Sequence, residues 1–341
     1  MSQRKLRVGM VGGGGPANFF GAPHRRGILM DNSAELTAGA LRTQPEEALA
    51  AARELFMPRG YPDWAAMIQA EAALPESDRI DYVTIVTPND AHFGPAEAAA
   101  AAGIGVLCEK PLTTTLDEAR RLHATVRSRD VPFVVAYTYT GFPMVMLARE
   151  LVAGGDIGTH AYEFVRFVAG LSATRLRARL KTFVPGRALD DDFTVLAELS
   201  HGAIATITAS QVIIGAQNDN GFRVIGTTGT LEWSITEHTV LKHYAGGQPL
   251  RLYRQGAEYG YFPESVKPYL RLPSGHPEGF HEALANLHRT LEWTIRGRRG
   301  EKAPKPFAHP GIADGVAGMA FVEAAVASAK QDGAWVSVAS V

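Results

Sequence analysis

The chain has 341 residues, of which 46% are apolar and 20% are charged, and its formal net charge at pH 7 is -1. This length exceeds what one hydrophobic core usually supports, so two domains are expected. The near-neutral charge provides no basic surface field, which argues against a nucleic-acid partner.

A single cysteine, Cys108, precludes an internal disulfide bond and a cysteine metal cluster, and it fits a reducing compartment. The N-terminus passes from a few polar residues into a strand pattern, without the apolar stretch of a signal peptide. The apolar tract at residues 98–108 is too short to span a bilayer. We expect a cytoplasmic protein with no membrane partner and no bound metal.

Strand and helix patterns alternate over the first 140 residues. Apolar strands are expected at residues 6–11, 36–41, 81–87, 104–108 and 132–138, and helices at residues 45–56, 94–103 and 116–130. This alternation of wholly apolar strands with helices is typical of a doubly wound parallel sheet covered on both faces.

The pattern changes after a helix expected at about residues 143–153. Strand pairs at residues 193–212, 221–233 and 239–254 indicate an antiparallel sheet, and helices follow at about 280–296 and 311–330. The fold class is therefore α/β, with a dinucleotide-binding domain at residues 1–140. Residues 141–341 form an α+β domain for substrate binding and oligomerisation.

A glycine-rich loop follows the first strand. Gly12, Gly14 and Ala17 satisfy G-x-G-x-x-G/A, in which glycines let the backbone approach a pyrophosphate, and Gly13 and Gly15 complete the run. A merely flexible turn is the alternative, but the position directly after the first strand of a parallel series favours a nicotinamide dinucleotide.

The end of the second strand bears on which dinucleotide binds. An NAD site favours an acidic side chain there, whereas this chain has Arg42 followed by Thr43. A guanidinium suits a 2′-phosphate, so NADP is predicted, with NAD as the alternative.

Polar side chains follow two further strands. Glu109 and Lys110 come directly after the strand at 104–108. In a doubly wound sheet, ligands bind outside the carboxyl ends of the strands, so these charges are expected in the cofactor crevice. An ordinary surface ion pair is the alternative. The strand at 81–87 ends likewise in further candidate cofactor-binding residues: Thr87, Pro88, Asn89 and His92.

The segments "CEKPLTTTLDEA" and "VTPNDAH", with the glycine loop upstream, resemble the Gfo/Idh/MocA oxidoreductase family. The resemblance covers nearly the whole chain and implies a Rossmann domain joined to a C-terminal domain with an open, mainly antiparallel sheet that often forms the oligomer interface. It also implies that Lys110 works beside the nicotinamide and that the Lys110–Pro111 bond is cis.

In this family an aspartate and a histidine from a D-x-x-x-H element complete the catalytic site. The matching residues here are Asp156 and His160, which are four apart and so share one face at a helix start. A carboxylate can orient an imidazole for general base work. A purely structural turn is the alternative.

One departure from the family stands beside that element. Relatives carry a strand and a long loop between the linker helix and the D-x-x-x-H element, whereas here Gly154 and Gly155 run directly into Asp156. A true deletion would remove one strand and part of the substrate wall.

Two further residues are candidates for the substrate side. Tyr137 follows the last strand of the first domain, where it either lines the pocket or packs. His276 lies in a Pro/Gly loop before a helix, and such loops often carry binding groups, although a solvated loop is equally compatible.

The sequence thus predicts an NAD(P)-dependent oxidoreductase acting on a secondary alcohol or ketone of a sugar, polyol or derivative, assembled as a homo-oligomer through the C-terminal sheet. In this mechanism His160 removes the hydroxyl proton, Lys110 stabilises the alkoxide and Asp156 orients His160. Two alternatives are a glycosidase that oxidises and re-reduces its sugar in one cycle and a non-catalytic, cofactor-binding regulator.

Overall fold

The computed structural model describes residues 4–15, 19–153 and 162–341. They pack as two compact units, of which the first comprises Met1–Gly141 and Phe280–Val316 and the second Phe142–Gly279 and Ala317–Val341.

The first unit contains a six-stranded sheet. Its strands are β1 Leu6–Gly12, β2 Ala34–Ala40, β3 Arg59–Gly60, β4 Tyr82–Val86, β5 Gly105–Cys108 and β6 Phe133–Val135. The helices between them are α1 Gly21–Met30, α2 Pro45–Glu54, α3 Trp64–Ala73, α4 Phe93–Ala101 and α5 Leu116–Ser128. The strand order is β3-β2-β1-β4-β5-β6 with parallel pairing, so the predicted doubly wound sheet is confirmed.

Local chemistry fixes where the helices begin. Pro45 occupies the first turn of α2, where the absent N–H costs nothing. Thr115 caps α5 by accepting the Glu118 N–H at 3.2 Å, while the Glu118 carboxylate accepts the Thr115 N–H at 3.3 Å. This reciprocal cap starts α5 shortly after Lys110 and so limits the length of the loop that carries it.

The second unit contains antiparallel sheets. Its elements are α6 Pro143–Ala153, α7 Tyr162–Ala169, β7 Ala173–Lys181, β8 Asp192–Leu199, β9 Ile204–Ser210, β10 Gly221–Ile225, β11 Gly229–Ser234, β12 Val240–Ala245 and β13 Arg251–Arg254. The chain continues with α8 Phe280–Arg298, α9 Ile312–Lys330 and β14 Val336–Ser337. The sequence predicted one antiparallel sheet, whereas the described residues of this unit form two, ordered β14-β7-β8-β9 and β10-β11-β12-β13. Residue periodicity locates strands but does not tell which edges pair.

Helix α8 belongs to the first unit, although the sequence placed it in the second domain. Its apolar residues Leu284, Leu287 and Leu291 form one core with side chains of the parallel sheet, including Leu6 and Leu107. Burial of this apolar stripe brings the chain back to the first unit after the antiparallel strands.

Helix α9 is long and apolar enough, by length and composition alone, to cross a membrane, with a mean hydropathy of 1.4. However, 56% of its apolar window is buried inside the protein. Its residues Phe321, Ala324 and Ala325 pack in the core beneath β7, β8 and β9. Packing of this kind accounts for the apolar composition.

Candidate active site

The glycine loop after β1 is shaped for close approach of a ligand. Gly12, Gly13 and Gly15 have φ of 77°, 68° and 98°, which side-chain-bearing residues rarely adopt. A Cβ on Gly21, at the start of α1, would lie 2.1 Å from the Gly13 carbonyl oxygen. The loop and helix therefore touch backbone to backbone, an arrangement that lets a pyrophosphate approach the loop and the N-terminus of α1.

Arg25 holds this loop from within. Its side chain is buried, and its guanidinium donates to the carbonyl oxygens of Gly13 at 2.7 Å and Gly15 at 2.8 Å. Burial lowers the pKa of Arg25, and the charge of Arg26 contributes to the same direction.

Arg42 lies against the outer side of the same loop. A Cβ on Gly14 would be 3.1 Å from the Arg42 Nε, and one on Gly15 would be 2.9 Å from its Nη2. The arginine is exposed, and within the described residues no carboxylate forms an ion pair with it. A guanidinium in this position is available to an anionic group on a ligand of the loop.

A cavity of about 500 Å³ opens at the carboxyl edge of the parallel sheet. Its lining comprises Phe20, Val86, Thr87, Pro88, Asn89, Glu109, Lys110 and Pro111. Lys110 is exposed, and its Nζ lies 5.7 Å from the centre of the Phe20 ring. The Lys110–Pro111 peptide bond is cis, as the family resemblance implies.

The sheet itself brings the two polar segments together. Strands β4 and β5 are parallel neighbours with Ile85 opposite Cys108, and the Glu109 N–H donates to the Ile85 carbonyl at 3.0 Å. Thr87 and Glu109 therefore leave the sheet side by side, as parallel strands require. Both charged residues after β5 border the cavity, and the buried Glu109 carboxylate also contacts His24 in the interior.

His92 has a different place from the other predicted cofactor residues. It is buried, with Nδ1 2.8 Å from the Pro111 carbonyl oxygen and Nε2 3.0 Å from the Thr87 carbonyl oxygen. The imidazole thus joins the two segments that line the cavity and is absent from the lining itself. Its contacts are those of a positioning residue.

A chain of buried polar groups starts at Glu109. Its Oε1 lies 3.0 Å from His24 Nε2, and His24 Nδ1 lies 3.1 Å from His288 Nε2. His288 Nδ1 lies 3.2 Å from the Tyr82 hydroxyl, which donates to Glu292 Oε1 at 3.3 Å. These hydrogen bonds link the cavity to Glu292, in the C-terminal half of α8.

Burial shifts the pKa of three members of this chain. It holds the pKa of His288 well below its usual range, with the charge of His24 adding to the effect, and it raises the pKa of Tyr82 well above its usual range. It also raises the pKa of Glu292 to about 7. Buried groups without a strong ionic partner favour their neutral forms.

The remaining predicted residues are placed separately. Tyr137 is half-buried just after β6, at the same edge of the sheet as Lys110, but it is not among the cavity-lining residues. His276 is exposed in the second unit, where its Nδ1 lies 3.3 Å from the Ser274 carbonyl oxygen. Ala17, Asp156 and His160 lie outside the described residues.

The glycine loop, Arg42 and the cavity together suit a dinucleotide, because the loop presents backbone that side chains would block. Comparison with known proteins supports a dinucleotide-binding fold. Residues 6–137 match the family model of the oxidoreductase family with an NAD-binding Rossmann fold, and residues 149–232 match the GFO/IDH/MocA C-terminal domain.

Solved structures and curated proteins extend this match over the chain. An oxidoreductase from Sinorhizobium meliloti is 37% identical, with a TM-score of 0.91 over 98% of this chain and 100% of that one. An inositol dehydrogenase homolog from Azotobacter vinelandii, solved with NADH and myo-inositol, is 30% identical, with a TM-score of 0.87 over 98% of each chain. An uncharacterized oxidoreductase of Bacillus subtilis, YfiI, is 28% identical over 98% of this chain and 97% of its own.

The fold and the matches define an NAD-binding Rossmann oxidoreductase, a dehydrogenase acting on CH–OH groups. The chain belongs to the Gfo/Idh/MocA family. Its alignment with the B. subtilis relative spans 385 positions, which exceeds the 341 residues of this chain. The relative therefore carries segments that have no counterpart here.

Proposed function

We propose that this enzyme transfers a hydride between NADP and a secondary alcohol or ketone of a sugar, a polyol or a derivative of either. The observation that carries the proposal is the position of Lys110, an exposed ammonium on a cavity at the carboxyl edge of the sheet. That edge is where doubly wound folds bind their ligands.

The cofactor would be held by residues of the first unit. The glycine loop would receive the pyrophosphate, the Arg42 guanidinium would bind a 2′-phosphate, and Thr87, Pro88 and Asn89 would border the nicotinamide end. The cofactor supplies the hydride acceptor or donor. The exposed guanidinium beside the loop favours NADP, although the A. vinelandii homolog was solved with NADH.

The chain's own contribution is charge and proton transfer. The Lys110 ammonium would stabilise negative charge that develops on the substrate oxygen. His160 would take the hydroxyl proton, with Asp156 orienting the imidazole. The assignment of Asp156 and His160 rests on their spacing and on the family resemblance, because both lie outside the described residues.

The proposal also includes the location of the protein and its oligomeric state. The protein would be cytoplasmic, in keeping with its single, buried cysteine. It would form a homo-oligomer through the sheet of β7, β8 and β9, in which exposed Arg177 and Arg179 alternate with buried Leu176 and Ala178. Light scattering of the purified protein tests the oligomer, and a monomer would contradict it.

A substrate panel tests the activity. Purified protein is incubated with NADP or NAD and with a series of polyols and aldoses that begins with myo-inositol, while reduced nicotinamide is followed by absorbance. We expect reduction with at least one polyol or sugar and a higher kcat/KM with NADP. Tight cofactor binding without reduction of NADP or NAD on any member of the panel would contradict the proposal.

A further inference from the structure

The polar groups that lead away from Glu109 form an unbroken path through the interior of the first unit. His24, His288 and Tyr82 are fully buried and Glu292 is 2% exposed. Glu109 meets the cavity at one end. At the other end, Glu292 Oε2 accepts a hydrogen bond from the half-buried Ser33 hydroxyl at 2.5 Å.

Such a row of groups is costly to bury unless every member is paired, and here every link lies between 3.0 and 3.3 Å. Apolar residues would pack α1 and α8 against the sheet without the cost of desolvating polar groups. Five linked polar side chains at this desolvation cost point to a role beyond packing.

Two proton arrangements satisfy every hydrogen bond of the path with neutral imidazoles. In the first, Glu109 is ionised. The protonated Glu292 donates to Tyr82, Tyr82 to His288, His288 to His24, and His24 to Glu109. In the second, all links are reversed: Glu109 is protonated and Tyr82 donates to an ionised Glu292. Both arrangements hold the same number of protons. They differ in which carboxyl group, Glu109 or Glu292, is protonated.

We propose that Glu109, His24, His288, Tyr82 and Glu292 form a proton relay between the active-site cavity and the interior carboxyl group of Glu292. A proton placed on Glu109 passes to His24 Nε2 while His24 Nδ1 gives its proton to His288 Nε2. His288 Nδ1 then protonates the Tyr82 oxygen, and the Tyr82 hydroxyl proton passes to Glu292. Each group ends neutral except Glu109, which regains its charge.

The surroundings of the two ends suit this exchange. Burial is the dominant cause that raises the pKa of Glu292 to about 7. The Ser33 hydrogen bond lowers this pKa, the charge of Asp31 raises it, and Tyr82 and Arg296 lower it. Asp31 is itself paired with Arg289 at 2.5 Å. At the cavity end, Glu109 Oε2 accepts the Lys110 N–H at 3.1 Å, which leaves Oε1 for His24.

The use of this relay in catalysis rests on the proposed function. When a hydroxyl group is oxidised, its carbon gives a hydride to the cofactor and its oxygen releases one proton. His160 would take that proton first, and the relay would then receive it at Glu109. When the carbonyl group is reduced instead, the relay would supply the proton. No further oxidant or reductant is involved.

Infrared titration of the protein without substrate tests the relay. The carbonyl stretch of protonated Glu292 is assigned by its loss in Glu292→Gln, and its midpoint is followed between pH 5 and 9. We expect a midpoint near 7 in the wild type and a decrease of about one pH unit or more in Glu109→Gln, as for coupled carboxyl groups. Tyr82→Phe, which removes one hydroxyl group from the path, should reduce the effect of Glu109→Gln to less than half.

Tyr61→Phe is the matched control, since the Tyr61 hydroxyl also donates to a buried carboxylate of the first unit, Glu71, at 2.9 Å. In the Tyr61→Phe background, Glu109→Gln should shift the Glu292 midpoint as much as in the wild type. Should Tyr82→Phe not fold, His288→Gln interrupts the same path with a side chain that hydrogen-bonds but carries no transferable proton. A shift of equal size in these backgrounds and in the wild type would indicate through-space repulsion and overturn the relay, as would the absence of a titrating Glu292 band.

Turnover separates this inference from the proposed function. With an active polyol, Tyr82→Phe should lower kcat several-fold and leave the Kd for NADP unchanged. If the infrared titration shows the relay but Tyr82→Phe has the wild-type kcat, the relay exists without a role in catalysis. The proposed function would then stand.

Discussion

The guanidinium of Arg25 donates to the Gly13 carbonyl oxygen at 2.7 Å, so that a buried charge from α1 fixes the backbone of the glycine loop. A second hydrogen bond to Gly15 at 2.8 Å makes the contact two-pronged. A lysine has one compact ammonium and cannot reproduce this fork. The loop conformation that a dinucleotide would meet is therefore set from inside the protein.

Arg25→Lys should consequently weaken nucleotide binding. We expect the Kd for NADPH, measured by fluorescence titration, to rise about tenfold, equivalent to about 1.4 kcal/mol. Arg26→Lys changes the neighbouring exposed arginine and should alter the Kd less than twofold. Equal affinities of both variants would show that the loop keeps its conformation without the buried guanidinium.

Arg42 should determine the preference between the two nicotinamide cofactors. Because its guanidinium lies over Gly14 and Gly15, its removal would take away a charged hydrogen-bond donor to a 2′-phosphate. We expect Arg42→Ala to reduce the ratio of kcat/KM for NADP to kcat/KM for NAD by tenfold to about a hundredfold. Steady-state kinetics with both cofactors measure the ratio.

Arg53→Ala, an exposed arginine in the last turn of α2, is the matched control for Arg42. It should leave the ratio unchanged. A wild-type enzyme that prefers NAD, or an Arg42→Ala variant with the wild-type ratio, would place the discrimination elsewhere.

Five of the six strands of the first unit and its helices α2, α4 and α5 could be predicted from the sequence, because these strands are short apolar runs bounded by helices with clear start signals. The prediction missed β3 and α3 and assigned α8 to the second domain. The cavity followed from the same reasoning, since Thr87 and Glu109 end neighbouring parallel strands. Local sequence patterns are sufficient to locate the strands and their ends. They also identified the glycine loop, whose strained backbone requires glycine at fixed positions.

The relay contacts beyond Glu109 could not be predicted in this way. His24 and His288 are 264 positions apart, and their contact exists only because α8 returns to the first unit. A histidine within an amphipathic helix has no local feature that reveals its partner. Similarly, strand patterns in the second unit gave no indication that its strands divide into two sheets.

Lys110→Ala should suppress turnover with little effect on cofactor affinity. Loss of one group that stabilises a developing oxyanion typically costs a hundredfold or more in kcat. We expect a loss of at least this size with the best polyol of the panel, and a Kd for NADPH within about threefold of the wild type. Lys305→Ala, an exposed lysine of the first unit, serves as the control. Wild-type turnover of the Lys110 variant would remove it from the mechanism.

The raised pKa of Glu292 predicts a pH dependence of stability. Burial raises this pKa from 4.5 to about 7, so the folded state binds more protons than the unfolded state between these values. The carboxyl group then favours folding at low pH, and this contribution is lost as the pH rises from about 4.5 to 7, by about 3 kcal/mol at most. Glu292→Gln stays neutral, so the difference in Tm between variant and wild type should shift by several degrees in favour of the variant from pH 5 to pH 8. Glu282→Gln, a half-buried position in the same helix, provides the control. A Tm difference that stays constant across this range would mean that Glu292 titrates alike in the folded and unfolded states.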